Sequence, residues 1–120
     1  MREVTEGLAR LAHALLLGVL AGCAALTAAP PDDTPLARGK GVYEKHCLAC
    51  HGAQGRGDSY PFLKPPPADL SAAVTRGKTD ADLLITIRHW HPDTAMGSWK
   101  FALSEEETRD VLVYVRALPQ

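Results

Sequence analysis

Several things are missing from this sequence, and each absence removes a class of protein. There is no excess of charge of either sign. Lys and Arg number 13 against 14 Asp and Glu, a formal net charge of −1, so the basic patch that nucleic-acid binding needs is absent. There is no long apolar run. The longest, from Leu11 to Gly22 and broken by His13, is about half the ~20 residues that span a bilayer comfortably. No stretch alternates as a strand does, and no internal repeat is visible. Cysteine is scarce, with three in 120 residues. No second Cys pair follows the first, so a tetrahedral structural zinc clamp lacks its other half.

Two of those three cysteines stand in the run Cys47-Leu48-Ala49-Cys50-His51. This is the attachment signature of c-type haem, and the chemistry needs the spacing. One turn of helix presents both sulfurs to the two vinyl groups on one edge of a porphyrin. The next residue places its imidazole under the iron as proximal ligand. A surface disulfide is a blander reading of the same residues. A thioredoxin-like redox pair is another, but it requires a βαβ setting that the sequence lacks. The chain is thus expected to carry one covalent haem c on Cys47 and Cys50, with His51 on its iron. A domain this small buries only about 60–65% of its unfolded surface. A large apolar cofactor would supply much of the missing core.

The first residues read as an export leader. Arg2 and Arg10 precede the short apolar run, the arrangement of a signal peptide. The run ends Leu20-Ala21-Gly22-Cys23, which resembles a bacterial lipobox. On that reading residues 1–22 are a lipoprotein signal, Cys23 is acylated, and the third cysteine is accounted for. An ordinary cleavage elsewhere, or an uncleaved anchor helix, would also fit the run. Residues 23–33 are rich in Ala, Pro and Asp and read as a flexible tether. The domain proper is expected over 34–120.

Within it, Thr34 is a plausible N-cap and Pro35 suits the first helical position. Leu36, Gly39, Tyr43 and Cys47 then recur at helical spacing and define an inner face. Gly39 costs about 1 kcal/mol relative to alanine inside a helix, and its usual benefit is the close approach of a second helix. Residues 52–67 carry three glycines and four prolines and read as a stiff loop. A helix is expected from Asp80 to His89 or Trp90, capped by Thr79 or Asp80, with Leu83, Leu84 and Ile87 as its stripe. Residues 91–101 read as loop, with Trp90 left as packing. The last helix is the clearest. Ser104 and Glu107 form a capping box, and Val111, Tyr114, Val115 and Leu118 repeat at i, i+3, i+4 and i+7.

An electron carrier needs a second iron ligand. Met96 is the only methionine besides Met1. A thioether is soft, does not titrate and raises the potential of a His-ligated haem. His89 and His91 are rivals on spacing alone, while His46, adjacent to Cys47, is poorly placed to cross to the other face.

Taken together, these residues resemble the small monohaem class I cytochromes c. Gly39 and Tyr43, Val111 and Tyr114, and Cys47, Cys50 and His51 match that family's pattern. The His51-to-Met96 spacing resembles its short bacterial members. The run Thr94-Ala95-Met96-Gly97-Ser98-Trp99, followed by Leu103-Ser104-Glu105-Glu106, resembles the methionine loop and last-helix start of bacterial oxidase-linked cytochromes. There the methionine is often followed by proline, whereas Gly97 stands here. The resemblance implies an all-α fold of three to four helices around one covalent haem, with N- and C-terminal helices crossing. It implies that a loop proline's carbonyl accepts a hydrogen bond from the proximal imidazole, for which Pro61 is the candidate and Pro65 or Pro66 are alternatives. It also places Trp99 near the haem. The function implied is one-electron transfer between transient protein donors and acceptors, with no small-molecule substrate. The setting is the periplasmic side of a bacterial membrane, held by lipid at Cys23. A fixed subunit of a respiratory complex would carry the same site. A haem sensor or enzyme would need an open sixth position, and a haem-free interaction protein would hold a Cys47–Cys50 disulfide.

Overall fold

The computed structural model describes residues 32–120. The expected leader, the acylation site at Cys23 and most of the tether lie outside the described residues. Residues Asp32–Gln120 form one compact unit. It contains α1 (Pro35–His46), α2 (Leu48–His51), α3 (Ala73–Arg76), α4 (Asp80–Arg88) and α5 (Glu105–Ala117). There is no strand among the described residues.

Each longer helix begins where its chemistry says it should. Thr34 caps α1, its Oγ1 accepting from the N–H of Ala37 at 3.2 Å, and Pro35 follows. Thr79 and Asp82 close a capping box on α4, and Ser104 and Glu107 close another on α5. The Ser104 N–H donates to Glu107 at 2.8 Å. Hydrogen bonds from Ser104 hold the Glu107 carboxyl below the usual range. These devices satisfy amide groups that the first turn leaves orphaned.

The fold is organised by the crossing of α1 and α5. A Cβ on Gly39 would collide with the backbone carbonyl of Asp110, so the two helices touch backbone to backbone at this point. Arg38 straps the crossing from the side. Its Nε lies 2.7 Å from Asp110 Oδ2 and its Nη2 3.3 Å from Oδ1. Tyr43, Val111 and Leu118 form the buried cluster, joined by Leu70, Ile87, Tyr114 and Val115. The rings of Tyr43 and Tyr114 pack at 5.2 Å. Leu36, expected on the inner face, is 46% exposed, because it lies almost a turn before the contact at Gly39.

The Gly- and Pro-rich loop after α2 is fastened at several points. Tyr43 Oη donates to the carbonyl of Gly52 at 2.7 Å. The N–H of Gly57 returns to His51 O at 2.8 Å, and Leu70 N–H reaches Gly55 O at 2.6 Å. Gly57 has φ +73, and a Cβ there would strike the Pro67 carbonyl. Only glycine allows this backbone conformation together with such close packing. Helix α4 ends at Arg88, with His89 already extended at φ −111 and ψ 152. This turns Trp90 outward to 62% exposure, so Trp90 is not the packing residue expected. The four-residue α3 had no sequence signal, being too short to show a period.

Candidate haem site

Helix α2 is a single turn. It carries Cys47 at its N-cap, Cys50 within it and His51 at its end. Gly52 then stops it with φ +79, a left-handed conformation suited to glycine. Both thiols are free and half-buried. They line a cavity of about 370 Å³ together with His51, Pro65, Pro66, Pro67, Met96 and Trp99. That volume falls within the range of small-molecule and cofactor pockets, about 300–1,000 Å³. Burial pushes the Cys47 thiol up to about 11, so it stays protonated at neutral pH. The paired-thiol attack of a thioredoxin-like site depends on a lowered thiol pKa, and Cys47 has the opposite environment.

His51 is buried, and burial lowers its pKa, so the ring is neutral near pH 7. Its Nδ1 lies 3.0 Å from the carbonyl oxygen of Ala68. A carbonyl can only accept, so Nδ1 carries the hydrogen and donates it. The Nε2 atom is thereby left with its lone pair, the state in which imidazole binds a metal.

The acceptor is Ala68, not Pro61. Pro61 sits on an exposed turn between Tyr60 and Leu63 and is not among the residues lining the cavity. Gly57 packs closely against the Pro67 carbonyl, and the next carbonyl, that of Ala68, meets the edge of the imidazole at Nδ1. Since the atom used is a backbone oxygen on an alanine, no side-chain pattern could have marked it. Pro65 and Pro66, the alternatives to Pro61, serve as cavity wall.

The Met96 loop supplies another part of the wall. Met96 is half-buried and its N–H donates to Thr94 Oγ1 at 3.2 Å. Trp99 lines the cavity and packs edge-on against His46 at 5.3 Å, which joins the end of α1 to the end of this loop. His91 also lines the cavity, whereas His89 does not. Lys78, Thr86 and His46 line it as well, and the sequence alone marked none of them as wall.

The match to the cytochrome c family model covers residues 36–119. The chain belongs to the cytochrome c family. It is 34% identical over 108 residues to cytochrome c55X of Paracoccus denitrificans (strain Pd 1222), covering 90% of this chain and 94% of that protein. The all-helical fold is that of a small class I c-type cytochrome. The family's cofactor is a covalently bound haem c with its iron, and the residues present fit it. Two free thiols sit one helical turn apart on a cavity wall, and the imidazole beside them has one nitrogen engaged and the other without a partner among the described residues. Electron transfer through a c-type haem, with redox proteins as partners, is the activity the family suggests. No helix among the described residues is long and apolar enough to cross a membrane.

Proposed function

We propose that this cytochrome c is a one-electron carrier whose iron is held by His51 on one side and Met96 on the other. The observation that carries this reading is the cavity itself, which has the Cys47–His51 turn and Met96 in its wall. When bound, haem iron supplies a one-electron couple. The chain's own residues do the rest. Cys47 and Cys50 would hold the group through thioether bonds. The hydrogen bond from His51 Nδ1 to Ala68 fixes the ring and increases its donor strength. A Met96 thioether as the second ligand would raise the potential, and with both positions taken by His51 and Met96 small molecules would be kept off the metal. His91 is the rival as second ligand; its Nε2 is engaged with the Thr86 carbonyl at 2.9 Å, so only its Nδ1 could serve.

Residues 1–22 are proposed to direct export and residues 23–33 to tether the domain from a lipid on Cys23. The sequence Leu20-Ala21-Gly22-Cys23 supports this. A tether raises the effective concentration beside membrane-bound donors and acceptors. The anchor reading predicts that intact-mass spectrometry of the holoprotein finds a chain beginning at Cys23 with acyl mass on that residue, and that Cys23→Ser loses the acyl mass without altering the optical spectrum. A wild-type chain that carries no acyl mass, or that begins elsewhere, counts against it.

Optical spectroscopy of oxidised holoprotein tests the ligands. Wild type should show the weak sulfur-to-iron band near the red edge, and Met96→Ala should lose it and let carbon monoxide bind the reduced form. If wild type has no such band, or if the band survives in Met96→Ala, the second ligand is not Met96.

A further inference from the structure

We infer that His91 is the positioning residue that holds the Met96 loop closed. The inference rests on the reading of Met96 as iron ligand, and goes beyond it. Three contacts form a small closed circuit around the methionine, and a fourth ties it to α4. The N–H of His91 reaches the carbonyl of Met96, a long contact at 3.4 Å. The Oγ1 of Thr94 donates to His91 O at 3.1 Å and accepts from Met96 N–H at 3.2 Å. The circuit is anchored to α4 through the imidazole alone, whose Nε2 lies 2.9 Å from Thr86 O. That oxygen is a backbone carbonyl, so Nε2–H must be the donor.

The other ties of the loop lie past Met96, among them the packing of Trp99 against His46 at 5.3 Å. On the far side of Met96, Ser98 Oγ donates to Arg88 O at 2.8 Å and Lys100 N–H reaches the same carbonyl at 3.2 Å. Between these two anchor points stand Ala95 and Gly97, both exposed. A Cβ built on Gly97 would meet nothing within 4 Å, so the chain is open on that side. Among the described residues, the imidazole is therefore the one side chain whose hydrogen bond ties the N-terminal half of the loop to a helix. Its ring also forms part of the cavity wall, so a loop that swings away takes part of the wall with it.

A loop in equilibrium between closed and open forms admits an outside ligand in proportion to its open fraction. Imidazole is a suitable probe, and its uptake by the oxidised holoprotein is followed by loss of the red-edge band. Removing one hydrogen bond of ordinary strength should raise the open fraction, and hence the apparent affinity for imidazole, by about five-fold. The His91→Phe variant keeps a flat ring but cannot donate, and His91→Asn has a donor but too short a reach. Both are expected to bind imidazole about five-fold more tightly than wild type. His91→Gln, whose amide can reach Thr86, should stay within about two-fold of wild type, with thermal unfolding of the holoprotein run in parallel on all three.

Wild-type affinity in His91→Phe and His91→Asn overturns the role given to His91. So does a His91→Gln variant as leaky as His91→Phe, because the site would then need the ring rather than its donor. If wild type lacks the band, or Met96→Ala keeps it, the ligand reading fails first. Loss of the band in Met96→Ala with imidazole affinity unmoved by any His91 variant removes only the positioning role.

Discussion

Gly39→Val should leave no folded holoprotein, while Gly41→Ala, two residues along the same helix, should be neutral or mildly stabilising. The contrast comes from what each side chain would meet. A Cβ on Gly41 has nothing within 4 Å, so alanine there gains about 0.5–1 kcal/mol of helix preference. A Cβ on Gly39 runs into the Asp110 carbonyl, followed by the Asp110 carbonyl carbon and the amide of Val111. These are backbone atoms in the middle of α5 and cannot rotate aside. The helices must separate instead. Separation strains the Arg38–Asp110 pair and lets water reach Tyr43 and Val111, each 1% exposed. Burial of one such side chain contributes about 1.5–3 kcal/mol, against a total stability of about 5–15 kcal/mol for a domain. Gly39→Ala should therefore lose about 2 kcal/mol or more in spite of its better helix preference. Gly39→Val adds two further methyl groups to the same collision. Denaturation followed by circular dichroism, with haem staining of whole-cell extracts for the valine variant, checks both. A Gly39→Ala protein as stable as wild type would mean that the crossing is looser than described.

The crossing was legible because glycine in a helix is costly and the sequence placed one on the face of Tyr43. The capping box of Ser104 and Glu107 was legible for a similar reason, since a cap uses fixed residue types at fixed offsets, whereas on α4 the choice stayed between Thr79 and Asp80 as cap and the box that Thr79 makes with Asp82 went unread. The cavity wall was less so. Ala68 acts through a carbonyl that any residue possesses, and its neighbour Pro67 packs against Gly57, a contact that is not local in sequence. Choosing Pro61 took the correct loop and the wrong end of it, because proline composition identifies a stiff loop without saying which carbonyl turns inward. Trp90 failed differently. The stripe of α4 was read correctly through Ile87, but the helix stopped at Arg88, and one extended residue sufficed to turn the ring outward. His91 was visible only as a rival ligand, and its tie to Thr86 depends on how the chain reverses after α4.

Replacing both Cys47 and Cys50 by serine should abolish covalent haem retention, and each single variant should keep one bond. The cavity explains why the loss should be near complete. Its Met96 side is a loop with exposed Ala95 and Gly97, and its Pro65–Pro67 side is a loop without helix or strand. A wall of which one side is so lightly held is a poor prison for a flat group that has lost its bonds. The two sulfurs would be the covalent attachments, and with the His51 imidazole they do not depend on those loops staying closed. They belong to α2, which is tied to the core by the hydrogen bond of Cys47 N–H to Tyr43 O at 2.8 Å, by that of Tyr43 Oη to Gly52 O at 2.7 Å, and by the packing of Leu48 and Cys47 against Tyr43 and its neighbours. Serine is close in size to cysteine, so the fold around α2 has little to lose from the change itself. Nor would serine substitute chemically, because a hydroxyl is a far poorer nucleophile toward a vinyl group than a thiol or thiolate. Haem staining after denaturing electrophoresis should be positive for wild type, positive for Cys47→Ser and Cys50→Ser alone, and blank for the double variant. The reduced spectra of the single variants should be displaced to the red, since each restores one vinyl group to the conjugated ring. A double variant that still stains would show a covalent bond elsewhere, and the assignment of Cys47 and Cys50 would fall with it.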